Sequence, residues 1–138
     1  MPVVGYAPGA YDMFHIGHLN ILRRASEQCD LLIAGVVSDE VVREAKGKLP
    51  IVPFAERLEI VRSIRYVHNA VPDLHTDKFD SWRELKFDVL FKGDDWRGTE
   101  RGIKLEALLS DVGARIVYFP YTVQTSSTAL RKAISSPA

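Results

Sequence analysis

Two histidines three residues apart, His15 and His18, flank a glycine in the segment Gly9-Ala10-Tyr11-Asp12-Met13-Phe14-His15-Ile16-Gly17-His18. Side chains at that spacing project together from one helical turn. Gly17 carries no side chain, so a phosphate can approach the start of a helix there, where free backbone N–H groups favour an anion. A neighbouring imidazole, neutral or protonated, donates to charge that builds on a phosphoryl oxygen. Two other readings stay open: a structural pair of histidines, or a metal site formed by Asp12, His15 and His18. No Cys or Glu nearby completes a zinc set.

Further polar clusters fall in suggestive places. Gly93-Asp94-Asp95-Trp96 offers a carboxylate that accepts from an exocyclic amine and an indole able to cover a base. The same residues also make a good turn. Ser126, Ser127 and Thr128 are helix caps, and with Arg131 one turn further on they also suit phosphate oxygens. Lys46 and Lys48, in Ala45-Lys46-Gly47-Lys48-Leu49-Pro50, read on local sequence alone as solvated charges. The chain has no Walker A loop, no Gly-x-Gly-x-x-Gly loop and no nucleophile with an adjacent base.

The elements that must hold these residues alternate. Short apolar runs at 3–7, 31–37, around 70–71, 88–92 and 115–119 end at Pro, Gly, Ser or Asp, the punctuation of buried strands. Helical spacing covers 16–28, 54–66, 103–112 and 127–134. This pattern predicts an α/β fold, a single Rossmann-like domain over 1–138 with about five parallel strands and helices on both faces. Ligands of such a sheet bind beyond the carboxyl ends of its strands. The histidine loop follows the first strand and Gly93-Asp94-Asp95-Trp96 the fourth, so both lie on the expected functional edge.

Composition removes several classes. The 138 residues carry 18 Lys plus Arg against 18 Asp plus Glu, so no global positive field argues for nucleic acid or an anionic membrane. Any anion site must be local. Cys29, the single cysteine, cannot form an internal disulfide, and Met1-Pro2-Val3-Val4-Gly5 lacks the charged and apolar regions of a secretory signal. A cytoplasmic protein without membrane insertion is the expectation.

Gly-x-Tyr-Asp-x-x-His-x-Gly-His resembles the HxGH motif of the nucleotidyltransferase superfamily that includes class I aminoacyl-tRNA synthetases. Ile64-Arg65-Tyr66-Val67 is similar to an R-Y-V-D element, Gly93-Asp94-Asp95-Trp96 to G-D-D-W, and Thr125-Ser126-Ser127-Thr128 to I-S-T-T before the last helix. In this order the four motifs resemble the bacterial glycerol-3-phosphate cytidylyltransferase family, from about Val4 to Ile134. The resemblance implies transfer of a cytidylyl group from CTP to a phosphorylated polyol, most simply glycerol 3-phosphate, with Mg²⁺ carried mainly on the nucleotide phosphates, in a homodimer.

The resemblance also distributes roles. His15 and His18 would contact the phosphates and stabilise the transition state. Gly9, Ala10, Tyr11 and Gly17 would line the triphosphate path, with Asp12 supporting the loop. Lys46 and Lys48 would lie near the phosphates and the acceptor, Lys78 at the acceptor, and Arg65 at the nucleotide near the dimer contact. Asp94, Asp95, Trp96, Thr122, Thr125, Ser126, Ser127, Thr128 and Arg131 would bind the nucleotide. The chain departs from the family pattern where Tyr121-Thr122-Val123-Gln124 replaces R-T-E-G, His68 an aspartate and Ala10 a threonine. Ribitol phosphate, ethanolamine phosphate or a phosphonate therefore stand beside glycerol 3-phosphate as acceptors. The rival readings are an adenylyltransferase using ATP and a nucleotide-binding module without activity.

Overall fold

A computed structural model describes residues 1–120 and 126–135. Five parallel strands, β1 (Val4–Gly9), β2 (Leu31–Val37), β3 (Asn69–Asp73), β4 (Val89–Gly93) and β5 (Arg115–Phe119), form one sheet in the order β3-β2-β1-β4-β5. The expected strands are all present. Helices α1 (Ile16–Ser26), α3 (Phe54–Arg62), α5 (Glu100–Asp111) and α6 (Ser127–Ser135) fall within a few residues of the expected spans.

Two helices go beyond that reading. Helix α2 (Asp39–Lys46) starts at Ser38, whose Oγ accepts from the Val41 N–H, and stops at Gly47 with φ 78°. Helix α4 (Lys78–Leu85) starts at Asp77, whose carboxylate accepts from the Phe79 N–H. Both are only eight residues long, so neither develops the apolar repeat that reveals a longer helix. Their signals are in the caps instead.

Alternation along the strands builds two cores. Ala7 and Phe91 join Leu22 and Ala25 of α1 and Val61 of α3 on one face. Tyr6 and Leu90, one residue earlier in their strands, join Leu105 and Leu109 of α5 and Phe79 and Trp82 of α4 on the other. Fully burying one such aliphatic side chain stabilises the fold by about 1.5–3 kcal/mol. A third, smaller cluster of Val37, Val41 and Val42 with Ala10 lies where β2 passes into α2. Because β1 leads to β2 on one side while β4 lies on its other side, the topological switch point falls between β1 and β4. That is where such a sheet opens a crevice for a ligand.

Candidate active site

His15 is the N-cap of α1, and its Nδ1 accepts from the Gly17 N–H at 3.0 Å. His18 Nδ1 accepts in turn from the His15 N–H at 3.2 Å, closing a reciprocal cap. The two rings stack with centroids 4.0 Å apart. With both Nδ1 atoms occupied as acceptors, a neutral ring carries its proton on Nε2. Burial, followed by the charges of His15 and Lys46, pushes His18 down to about 3, while Asp12 acts in the opposite direction. Burial also lowers His15. The structure thus presents two neutral imidazole donors at the start of a helix.

The loop that carries them is held from below. Tyr11 and Met13 adopt positive φ, 53° and 51°, a region that costs a non-glycine residue of order 1 kcal/mol or more. Between them the Asp12 carboxylate accepts from the Ile51 and Val52 N–H groups, each at 2.8 Å, and from Arg131 at 3.2 Å. With its oxygens engaged in this way, Asp12 is a brace, and the alternative of an Asp12, His15 and His18 metal site gains no support. Among the described residues no group of three or more His, Cys, Asp or Glu is placed to hold a metal ion. The Tyr11 ring is in the core and its hydroxyl donates to the Ala7 carbonyl, leaving backbone rather than ring available to a triphosphate.

Arg57, which the sequence reading missed, ties the neighbouring loops together. It is fully buried and donates to the carbonyls of Val52, Ala10 and Val37 and to Asp39, the last at 2.6 Å. Its signal was available: Arg57 stands three residues after Phe54 and four before Val61, on the stripe of α3 that faces the core. A cation at a core position needs an internal reason.

Cations line the rest of the crevice. Lys46 ends α2 close enough for its charge to act on both His18 and Lys92. Lys92, also missed, sits near the end of β4 beside the switch point, and burial lowers it to about 8 despite the opposing charge of Asp95. Lys78 at the start of α4 is nearly buried, 3.2 Å from Asp73 and donating to the His75 carbonyl. Burial lowers it, while Asp73 holds its charge. A lysine at the carboxyl end of a central strand was the signal for Lys92.

The other expected residues separate into those the fold gathers and those it does not. Ser127 Oγ donates to the Asp12 carbonyl at 2.7 Å, and Arg131 bridges Asp12 and the Leu49 carbonyl, so α6 docks on the histidine loop. Ser126 Oγ accepts from the Ala129 N–H, and Thr128 is exposed. Gly9 ends β1, and Ala10 packs on the Val37 cluster. Asp94, Asp95 and Trp96 form a short 3-10 turn after β4. Lys92 Nζ lies 3.9 Å and Arg101 Cζ 4.4 Å from the centre of the Trp96 ring, so a base stacked there has to displace a cation. Lys48 is exposed. Arg65 is also exposed, beyond the end of α3, and bonds to the Tyr66 hydroxyl rather than to the histidine loop. Thr122 and Thr125 lie outside the described residues.

The comparisons agree with this architecture. The family model described as Cytidylyltransferase-like matches residues 6–137. An FAD synthase of Pyrococcus abyssi is 32% identical over 127 residues, covering 91% of this chain and 86% of that protein. The ethanolamine-phosphate cytidylyltransferase of Arabidopsis thaliana is 37% identical over 99 residues, 68% of this chain and 23% of that protein. The bifunctional protein HldE of Streptomyces coelicolor is 36% identical over 126 residues, 90% of this chain and 27% of its own length. A lipopolysaccharide core biosynthesis protein from Thermoplasma volcanium GSS1 shares the fold, with a TM-score of 0.75 at 23% identity over 91% of this chain and all of that one.

Proposed function

The chain belongs to the cytidylyltransferase-like family of the nucleotidyltransferase superfamily, and from that premise we propose that it transfers a cytidylyl group from CTP to a small phosphorylated alcohol, with glycerol 3-phosphate the simplest acceptor. An acceptor phosphate oxygen attacks the α-phosphorus, the bond to the β-phosphate oxygen breaks, and a CDP-alcohol and pyrophosphate leave. The acceptor's second ionisation near pH 6 leaves it a dianion at neutral pH, so no general base is required. Catalysis of this kind rests on positioning and charge neutralisation.

The observation that carries the reading is the stacked pair of neutral imidazoles beside Lys46, whose charge also reaches Lys92, with Lys78 next to Lys92 in turn. The two Nε2–H groups donate to phosphoryl oxygens as charge builds on them. Lys46 and Lys92 neutralise the anions that converge on the switch point, and Lys78 holds the acceptor. The donors are imidazoles and ammonium groups rather than free carboxylates, which suits Mg²⁺ as a companion of the triphosphate oxygens instead of a caged ion. Bound there, it would neutralise the departing pyrophosphate. The exposed Arg65 and half-buried Tyr66 beyond α3, which carries the exposed Ile60, are the proposed homodimer contact, which sedimentation tests.

Similarity to an FAD synthase across 86% of its length favours a second reading, adenylyl transfer from ATP to a phosphate monoester. One experiment separates the two. CTP and ATP are each incubated with Mg²⁺ and glycerol 3-phosphate, ribitol 5-phosphate, ethanolamine phosphate or FMN, and pyrophosphate and the product mass are measured. A CDP-alcohol supports the first reading and an adenylylated product the second. Triphosphate binding without pyrophosphate from any pair leaves an inactive nucleotide-binding module.

A further inference from the structure

A cavity of about 240 Å³ lies beside the crevice, at the starts of α4 and α5. Its polar lining includes Lys78, Arg101 and Lys104, and its apolar lining Trp96, Leu105 and Leu108. Asp77 also lines it, but this carboxylate is already used to cap α4 through the Phe79 N–H. With Lys78 paired to Asp73, Arg101 and Lys104 against one engaged carboxylate are a local excess in a chain whose formal charge is zero.

The two cations of α5 lack a carboxylate partner among the described residues, although Arg101 already lies over the Trp96 ring. Arg101 and Lys104 stand three residues apart and present to the same cavity. Neither takes part in an ion pair among the described residues, and the polar contact of Arg101 is a long one, 3.5 Å to the Thr76 carbonyl. Lys78, by contrast, is already balanced by Asp73. The cavity adjoins the crevice: Lys78 and Trp96 line it, and Lys92 lies against the same indole ring as Arg101. An acceptor whose phosphate is held by Lys78 and Lys92 therefore has its far end directed to Arg101 and Lys104, along a wall made by an indole and two leucines. A simple polyol gives those cations only hydroxyls.

Resting on the nucleotidyl-transfer reading, we propose that this cavity binds a second anionic group of the acceptor. The acceptor class is then a phosphate monoester carrying a carboxylate or another phosphate across a short carbon chain. A guanidinium and an ammonium group on one helix suit the two oxygens of a planar carboxylate or the terminal oxygens of a tetrahedral phosphate.

Matched acceptors test this. Glycerol 3-phosphate is compared with 3-phosphoglycerate, and ribitol 5-phosphate with 5-phosphoribonate, each pair differing only in a terminal carboxylate. The expected result is a kcat/KM at least tenfold higher for the acid in one of the pairs, with the acid-to-alcohol ratio falling to near one in the Arg101→Gln/Lys104→Gln protein. A purely structural role for these residues would lower both members and leave the ratio alone. Equal use of acid and alcohol in both pairs, or a ratio the double substitution does not change, overturns the proposal. If neither CTP nor ATP is turned over with any acceptor, calorimetric titration with 3-phosphoglycerate decides. Binding lost in the double variant keeps the subsite while the transfer reading fails, and no binding to the wild-type protein overturns the subsite.

Discussion

Two buried aspartates, Asp12 and Asp73, stand at the carboxyl edge of the same sheet and do different work. Asp12 spends its carboxylate on the backbone, accepting from Ile51 and Val52 and pairing with Arg131. Asp73 spends its carboxylate mainly on side chains, the Tyr6 hydroxyl, the Ser81 hydroxyl and the Lys78 ammonium, and accepts from one backbone group, the His75 N–H. The first fixes the shape of a loop whose reacting groups are neutral. The second fixes a charge. In the proposed reaction the imidazoles would act as the transition state forms and Lys78 would hold an acceptor that is already an anion, so removing either aspartate should injure catalysis in a different kinetic parameter.

The largest effect belongs to the groups that Asp12 presents. His15→Ala or His18→Ala should lower kcat by about a hundredfold or more, the scale for deleting one preorganised donor. His15→Ala also removes a cap and should cost about 1 kcal/mol of stability. Since burial holds His18 at about 3, below its ordinary value, the unfolded chain binds a proton at lower pH that the folded protein refuses. Stability therefore falls as pH drops below about 6.5, by up to about 1.4 kcal/mol per unit until the folded value is reached. Denaturant titrations between pH 7 and 5 should show a shallower decline in His18→Ala, and an unchanged slope would contradict a neutral, buried imidazole.

Next comes the direct contrast. Asp12→Ala leaves two backbone N–H groups without their acceptor and should destabilise the protein by about 2–4 kcal/mol. Its kcat should fall more than its KM rises. Asp73→Asn keeps the side-chain shape but leaves Lys78 without its counter-charge, so KM for the acceptor should rise about tenfold with a smaller change in kcat. Steady-state kinetics of both proteins check this. The comparison collapses if the two substitutions move the same parameter.

Only one of these aspartates could be picked out from the sequence. Asp12 sits inside a dense motif, between the end of the first strand and a helix start, and the resemblance gives it a supporting role. Asp73 follows Pro72 at the end of a short strand, where an aspartate is ordinary punctuation. Its partner Tyr6 is 67 residues away and becomes a neighbour only because β2 lies between β1 and β3 with a glycine at the crossing. Strand order was not written in the apolar spacing, although the parallel alternation was. Lys92 and Arg57 were missed for a related reason: each is ordinary in its own segment and becomes unusual when the fold buries it. Local sequence revealed what one loop does, and tertiary adjacency decided the rest.

A smaller effect tests Lys92, the cation between the two regions. Its pKa is lowered to about 8, chiefly by burial. The free enzyme therefore loses this positive charge as pH rises through about 8, and kcat/KM for the anionic acceptor should fall above that value. Lys92→Arg keeps a charge at all accessible pH and should move the limb upward by at least one unit. For stability the sign is opposite. Above about 8 the unfolded lysine holds a proton that the folded one releases, so this group alone makes the protein more stable between about 8 and its ordinary value. A pH profile of Lys92→Arg identical to that of the wild type would remove Lys92 from the acceptor's path.

The mildest substitution, Tyr6→Phe, asks whether the Asp73 network positions a charge or merely fills space. The Tyr6 ring stacks on Phe87 with centroids 5.1 Å apart and keeps that packing as Phe, so only the hydroxyl is lost. Burial and Asp73 both raise the pKa of that hydroxyl, which therefore stays a neutral donor. Losing one hydrogen bond to a charged group should cost about 1.5–3 kcal/mol of stability. Asp73 keeps Ser81 and Lys78, but with one oxygen less constrained the ammonium gains freedom. KM for the acceptor should rise about two- to threefold, with kcat and the KM for nucleotide unchanged. Gly35→Ala gives a harsher version, since a Cβ at Gly35 would land on the Tyr6 hydroxyl and force it off Asp73. If stability falls in both proteins while acceptor KM stays at the wild-type value, the network holds the sheet together and Lys78 does not depend on it.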